Sequence, residues 1–305
     1  MNPFRILVIR LGALGDFVQS FPAFSAIRHE HPAAEITLLT TTPFVALAKA
    51  SPWFDKIETD ARPGRADLAG FCKLRRQLRG FDMIYDLQTS SRSSRYFRFA
   101  GQKNWSGIAP GCRFPHANLF RNEMHTRSRQ RDQLRMAGFA DVPDAETGWL
   151  EGPLPKDIPA DRPLAVLVPG AAPHRPAKRW PVTSFGEIAR ILVKKGFQPI
   201  VAGGNGDRPL GADIKRLCPE TIDLTGHTDL LDLAALLGHA QLAIGNDTGP
   251  MHLAAMLGCR SVVLFSAESD PALTAPLGRQ AGQVSVLRVQ DLATLSPSRV
   301  AEALS

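Results

Sequence analysis

The sequence predicts an α/β protein built from two doubly wound parallel-sheet units, and three observations carry that prediction. Short β-branched runs alternate with helical spacing from Arg5 onward. The alternation stops at EGPLPKDIPADRP, residues 151–163, where four prolines stand without hydrophobic periodicity. It then restarts, and 305 residues accommodate two domains of ~150 residues each.

In the first half, Arg5–Arg10 (RILVIR) reads as a strand that runs into the glycine turn LGALGD. Phe17, Phe21, Phe24 and Ile27 recur at three- and four-residue spacing, as on one helix face. Glu35–Thr40 and Met83–Asp86 read as strands, with Leu68–Arg79 a helix between them. The second half repeats the rhythm. Leu164–Val168, Gln198–Ala202, Leu242–Ile244 and Ser261–Phe265 are its strands. Ser184–Lys195, Leu230–Leu237 and Pro250–Leu257 are its helices, the first with Ser184 and Glu187 spaced as a capping box. The expected domains are 1–155 and 156–305. No residue-level repeat relates them.

Composition excludes several classes. Apolar residues make up 44% and charged residues 21%, values of a folded globular chain. The longest run without Asp, Glu, Lys or Arg, Leu233–Asn246, has 14 residues, against the ~18–20 that cross a bilayer. The amino terminus meets Arg10 after four apolar residues and has no small-residue cleavage site, so it does not read as a signal peptide. Four dispersed cysteines form no C-x-x-C pair, which points to reduced thiols and a cytoplasmic location.

The net charge of +7 is unevenly distributed. Residues 62–135 hold 16 Lys and Arg against 5 Asp and Glu. So local an excess favours an anionic partner for that segment. Without an aromatic-rich strand to stack bases, nucleic acid is not the expected one.

In doubly wound sheets ligands bind beyond the carboxyl ends of strands, which directs attention to four loops. In Leu11–Asp16 the spacing G-x-x-G is not the dinucleotide fingerprint. Asp16 there reads either as a helix cap or as a catalytic base. The loop from Pro169 to Pro181 carries His174, Arg175, Lys178 and Arg179, suited to a phosphate or to solvent, while Trp180 is expected to pack. In Gly203–Asp207, Asp207 reads as a ribose contact or as part of a tight turn. In Gly245–His252, Thr248 and Gly249 would present backbone amides at a helix amino terminus, with Asp247 and His252 beside them. P-loop and nucleophile-elbow motifs do not occur.

Taken together, ILVIRLGALGD, FDMIYDLQ at 81–88, PGAAPHRPAKRWP at 169–181 and LAIGNDTGPMHLAAMLG at 242–258 resemble glycosyltransferase family 9. These are the ADP-heptose lipopolysaccharide heptosyltransferases, and the PG…AKRWP form looks most like the branch that adds a second heptose. The resemblance implies a GT-B fold, two Rossmann-like domains facing a cleft that closes over the substrates. It implies an inverting, metal-independent transfer of heptose from ADP-heptose to the lipopolysaccharide inner core, with no cofactor. Asp16 matches the family's general base. Lys178, Asp247, Thr248, Gly249 and His252 match its donor-binding residues, and Gly170 and Asp207 are expected beside them. Gly15, Arg76, Arg79 and Arg92 are the expected acceptor contacts. Each of these arginines also reads as an ordinary solvated helix residue.

The partners implied are a nucleotide-sugar donor, a lipid-linked oligosaccharide acceptor and, transiently, an anionic membrane surface at the cytoplasmic side of the inner membrane. Where some relatives carry threonines before the lysine, this chain has Ala171, Ala172 and Pro173, which leaves phosphate contact there to backbone amides. Two other functions fit the architecture: a nucleotide-sugar epimerase and a non-catalytic nucleotide-sugar-binding relative.

Overall fold

The computed structural model describes residues 3–60, 62–64, 66–155, 158–159 and 161–304. The chain divides into two compact units, residues 1–149 and 150–305. The boundary expected between 155 and 156 falls in the proline-rich connector, where 156, 157 and 160 lie outside the described residues.

The first unit opens with β1 (Arg5–Ile9), α1 (Leu14–Val18), α2 (Phe21–Glu30) and β2 (Glu35–Thr40). It continues with α3 (Val45–Ala50), β3 (Lys56–Thr59), α4 (Leu68–Gln77) and β4 (Met83–Asp86). Next come α5 (Ser91–Ala100), β5 (Trp105–Gly107), β6 (Phe114–Pro115) and α6 (Thr126–Met136). Its six strands are all parallel, in the order β3-β2-β1-β4-β5-β6.

The second unit begins with β7 (Leu164–Val168), α7 (Val182–Lys194), β8 (Gln198–Val201) and α8 (Arg208–Leu217). Then follow β9 (Ile222–Asp223), α9 (Leu230–His239), β10 (Leu242–Asn246) and α10 (Gly249–Met256). The last elements are β11 (Arg260–Phe265), α11 (Pro271–Thr274), β12 (Val284–Arg288) and α12 (Pro297–Glu302), with α12 packed on α7. Its strands are also all parallel, ordered β12-β11-β10-β7-β8-β9. Numbered within each unit, both sheets run 3-2-1-4-5-6, the Rossmann order. The strand order reverses between β1 and β4 in one unit and between β7 and β10 in the other.

Central strands such as β7 (LAVLV) are buried along their whole length, because helices cover both faces of a parallel sheet. Five strands escape the sequence reading: β3, β5, β6, β9 and β12. Each is five residues or fewer and lies at or next to a sheet edge, too short for a periodicity to show.

The structure corrects three local expectations. The phenylalanine face is divided: α1 ends at Val18, and α2 restarts at Phe21 with Pro22 in its first turn. Proline lacks the N–H that would continue the earlier helix. Phe17, Phe21, Phe24 and Ile27 are nonetheless all buried. The Ser184–Glu187 capping box does not form, since α7 starts at Val182 with Pro181 as N-cap and no side-chain cap. Asp16 is not a helix cap either, because Ala13 takes that position and Asp16 lies inside the first turn of α1.

Candidate active site

Both strand-order reversals are lined by the loops singled out in the sequence. In the first unit, β1 ends at Ile9 and the next residue, Arg10, turns inward and is 4% exposed. Its Nη1 donates to Leu87 O at 2.6 Å, just beyond β4, so it ties β1 to β4. Its Nε donates to Asp16 O at 3.2 Å, and its Nη2 stands 3.3 Å from Asp16 Oδ1. The Asp16 carboxylate itself is 42% exposed. A solvent-facing carboxylate is thus held by a buried cation. Burial pulls the Arg10 pKa down, and the Asp16 charge opposes that shift.

Asp86, the last residue of β4, is wholly buried. Its Oδ1 accepts the N–H groups of Gln88 and Thr89, and burial pushes its pKa up to about 7. Gly12 has φ +121, and a Cβ there would lie 2.7 Å from the Phe44 ring, so the turn requires glycine.

A cavity of about 550 Å³ opens at the carboxyl ends of β1, β2 and β3, lined by Leu11, Gly12, Ala13, Thr41, Asp60 and Arg62 among others. A second, of about 380 Å³, lies between α4 and α5 and gathers Arg62, Arg92, Arg95 and Arg98 around Phe71 and Tyr96. Tyr96 donates to Asp60 Oδ2 at 2.7 Å in the buried wall that adjoins both.

The expected acceptor residues are not brought together. Arg92 lines the second cavity. Arg76 and Arg79 are exposed at the end of α4 that leads into β4, toward the amino-terminal edge of the sheet and away from Asp16. Gly15 is buried within α1 and offers no side chain.

In the second unit the loop after β7 is ordered by its own turns, with Pro176–Lys178 a short 3-10 helix. His174 and Arg175 face solvent. Arg179 folds back to donate to Ala171 O at 3.0 Å. Trp180 packs, as expected: it is 2% exposed and donates through Nε1 to Leu295 O at 2.9 Å. Lys178 turns inward, where its Nζ donates to Asp247 Oδ2; the two side chains are 12% and 7% exposed. Ser269 donates to the same carboxylate oxygen at 2.7 Å. Sequence reading missed Ser269 as a partner of Asp247, because the two are 22 residues apart and meet only when β10 and β11 pair.

Thr248 is the N-cap of α10, with no side-chain cap of its own, and His252 is buried in the first turns of that helix. Gly170 and Asp207 meet: a Cβ at Gly170 would lie 2.6 Å from Asp207 Oδ2. The same oxygen accepts the Gly204 N–H at 3.0 Å, which gives Asp207 its role in the tight turn. Lys178, Asp247, Thr248, Gly249 and His252 therefore cluster where β7 and β10 end, the place a doubly wound sheet reserves for ligands.

A family model described as glycosyltransferase family 9 (heptosyltransferase) matches residues 71–303. The chain belongs to glycosyltransferase family 9. This family 9 chain is 25% identical to lipooligosaccharide heptosyltransferase 2 of Haemophilus ducreyi, over 91% of its own length and 87% of the relative's. Among solved structures, it superposes on a glycosyl transferase family 9 protein from Veillonella parvula with a TM-score of 0.83. That match is at 22% identity and covers 98% of this chain and 95% of the other. The ADP-heptose lipopolysaccharide heptosyltransferase II of E. coli gives a TM-score of 0.77 at 23% identity, covering 99% and 97%. At these identities the structural likeness shows the fold, two Rossmann-like units of the GT-B class. The matched span of the family model includes all the residues clustered at β7 and β10; Asp16 lies outside it.

Proposed function

We propose that this chain is an inverting, metal-independent glycosyltransferase that moves a heptose from ADP-heptose to the inner core of lipopolysaccharide. The observation that carries the reading is the Lys178–Asp247 pair at the entrance to α10, within a chain of family 9. Supporting it are the names of the relatives above, heptosyltransferases of lipooligosaccharide and lipopolysaccharide.

The second unit holds the donor. Lys178 Nζ turns from Asp247 toward the diphosphate, while Ser269 keeps the Asp247 carboxylate hydrogen-bonded. The backbone amides of Thr248 and Gly249, at the amino terminus of α10, face the same anion, with the helix dipole in its favour. Gly170, Asp207 and His252 complete the donor site. The first unit holds the acceptor, with Arg92 and its neighbours Arg62, Arg95 and Arg98 as counter-ions for carboxylate or phosphate groups of the core.

In the reaction, an acceptor hydroxyl attacks the anomeric carbon and gives its proton to Asp16. The bond from that carbon to the diphosphate breaks, and its electron pair leaves with ADP. Attack on the face opposite the diphosphate inverts the centre. Charge gathering on ADP is stabilised by Lys178 and the α10 amides rather than by a divalent ion. Arg10, with Nη2 3.3 Å from Asp16 Oδ1 and Nε on Asp16 O, orients the carboxylate for that step.

The acceptor is lipid-linked, so the enzyme works at an anionic bilayer on the cytoplasmic side. The first unit bears the supporting features. Leu119 and Phe120 are 91% and 65% exposed, on a turn pinned by Asn118, which bonds both the Phe120 N–H and Asp132. Between residues 113 and 129 four arginines face one glutamate.

The test is substitution of Asp16. Asp16→Ala should reduce transfer to background in a product assay with ADP-heptose and core acceptor, while calorimetric ADP affinity stays within about threefold. Turnover near the wild-type rate would remove Asp16 from the reaction. Isomerised donor formed without acceptor would favour an epimerase instead.

A further inference from the structure

Both ends of the Pro169–Pro181 loop meet on one side chain. Asn246 closes β10, and its amide is fully buried where the strand order reverses between β10 and β7. Its Nδ2 donates to Pro169 O at 2.8 Å and reaches Gly170 O at 3.4 Å. Its Oδ1 accepts the Trp180 N–H at 3.0 Å. Pro169 and Gly170 begin the loop and Trp180 ends it, so one planar amide joins its two stems. Few side chains do this. A primary amide presents donor and acceptor together without charge. A carboxylate in its place would set negative charge against two carbonyl oxygens. An apolar residue of the same size would leave buried backbone groups unpaired, at a cost larger than the bonds lost.

The clamp sits next to the proposed donor contact along the chain on both sides. Lys178 lies two residues before the clamped Trp180 N–H, and Asp247, which receives Lys178 Nζ, directly follows Asn246. The stem held by Asn246 therefore sets the height from which the lysine reaches the entrance of α10. Between the stems, His174 and Arg175 are exposed, Arg179 bonds within the loop, and Lys178 reaches Asp247.

We infer that Asn246 is a positioning residue for donor binding, which acts through Lys178 by clamping the two ends of the loop that carries it. The inference rests on the proposed role of Lys178 toward the donor diphosphate.

The experiment is a double-mutant cycle on the full chain, with ADP affinity read by calorimetry and folding by circular dichroism and melting temperature. Lys178→Ala should weaken ADP binding roughly tenfold, and Asn246→Ala should weaken it by a similar factor. The double variant should bind no more than about twofold worse than Lys178→Ala alone, because the clamp then has no lysine to position. In the steady state Asn246→Ala should raise the donor KM and leave the acceptor KM unchanged. Should Asn246→Ala fail to fold, Asn246→Asp serves in the same cycle, since it keeps the acceptor for Trp180 and loses the donors to Pro169 and Gly170. Wild-type ADP affinity in a folded Asn246 variant, or full additivity with Lys178→Ala, overturns the inference. Unchanged ADP affinity in Lys178→Ala removes the role of Lys178 itself, and the response of the Asn246 variant beside it tells the two failures apart.

Discussion

Asp16 and Lys178 stand out in the sequence because each follows closely on a strand and matches a motif of the family it resembles. Their partners are not readable. Arg10 looks like the end of a strand, yet its burial makes it the counter-ion of Asp16 and a tie between β1 and β4. Asp86 looks like one more strand-end carboxylate, and only its complete burial raises its pKa to about 7. The consequence for stability follows from the sign of that shift. A carboxyl whose folded pKa exceeds its ordinary ~3.9 favours the folded state when protonated, and that contribution declines as pH rises through about 7. Asp86→Asn cannot ionise and keeps an acceptor oxygen for the Gln88 and Thr89 amides. Its melting temperature relative to wild type should therefore rise by a few degrees between pH 5 and pH 8. A difference that stays constant over that range would show that Asp86 carries no such charge penalty.

At the level of elements, the buried central strands were legible and the edges and helix starts were not. A run such as LAVLV admits no alternative, whereas β9 is two residues long and depends on β8 for its definition. The Ser184–Glu187 spacing failed as a cap signal for a tertiary reason. Asn246 holds the Trp180 N–H and Pro181 follows it, so α7 begins before Ser184 is reached. The close approach of β10 to its neighbours makes a further prediction. A Cβ on Gly245 would lie 2.7 Å from both Met251 Sδ and Val168 Cβ. Gly245→Ala should lower the unfolding free energy by ~1–3 kcal/mol through overpacking beside the proposed donor site, measurable by urea titration. An unchanged midpoint would mean that β7 and α10 yield more freely than a packed core does.

For the whole molecule, the two units repeat one strand order with different loops. That division matches the proposed work of each: an arginine-rich acceptor side in the first and a lysine–carboxylate pair at a helix entrance in the second. The excess of 16 basic over 5 acidic residues between 62 and 135 belongs entirely to the first unit. Each cation near an anionic surface contributes ~1 kcal/mol, and apolar residues on a pinned turn add burial in the interface. The full chain should therefore sediment with phosphatidylglycerol vesicles and not with phosphatidylcholine vesicles. Replacing Leu119 and Phe120 together by serine should reduce that binding severalfold without moving the melting temperature. Equal binding by wild type and variant would leave the turn without a membrane role.

The sequence by itself determined the fold class, the two-unit division, the loops that leave the central strands and the segment where charge gathers. These follow from local pattern: period-two and helical spacing, proline density, glycine turns and residue counts. Only the tertiary structure decided which side chains meet. Strand pairing brings Asn246 to Pro169 and Trp180, Ser269 to Asp247 and Arg10 to Leu87, across separations of 22 to 77 residues. It also sent Arg76 and Arg79 to the edge of the sheet away from Asp16. Contacts of that kind depend on sheet order and burial, and neither is written in any single segment of the chain.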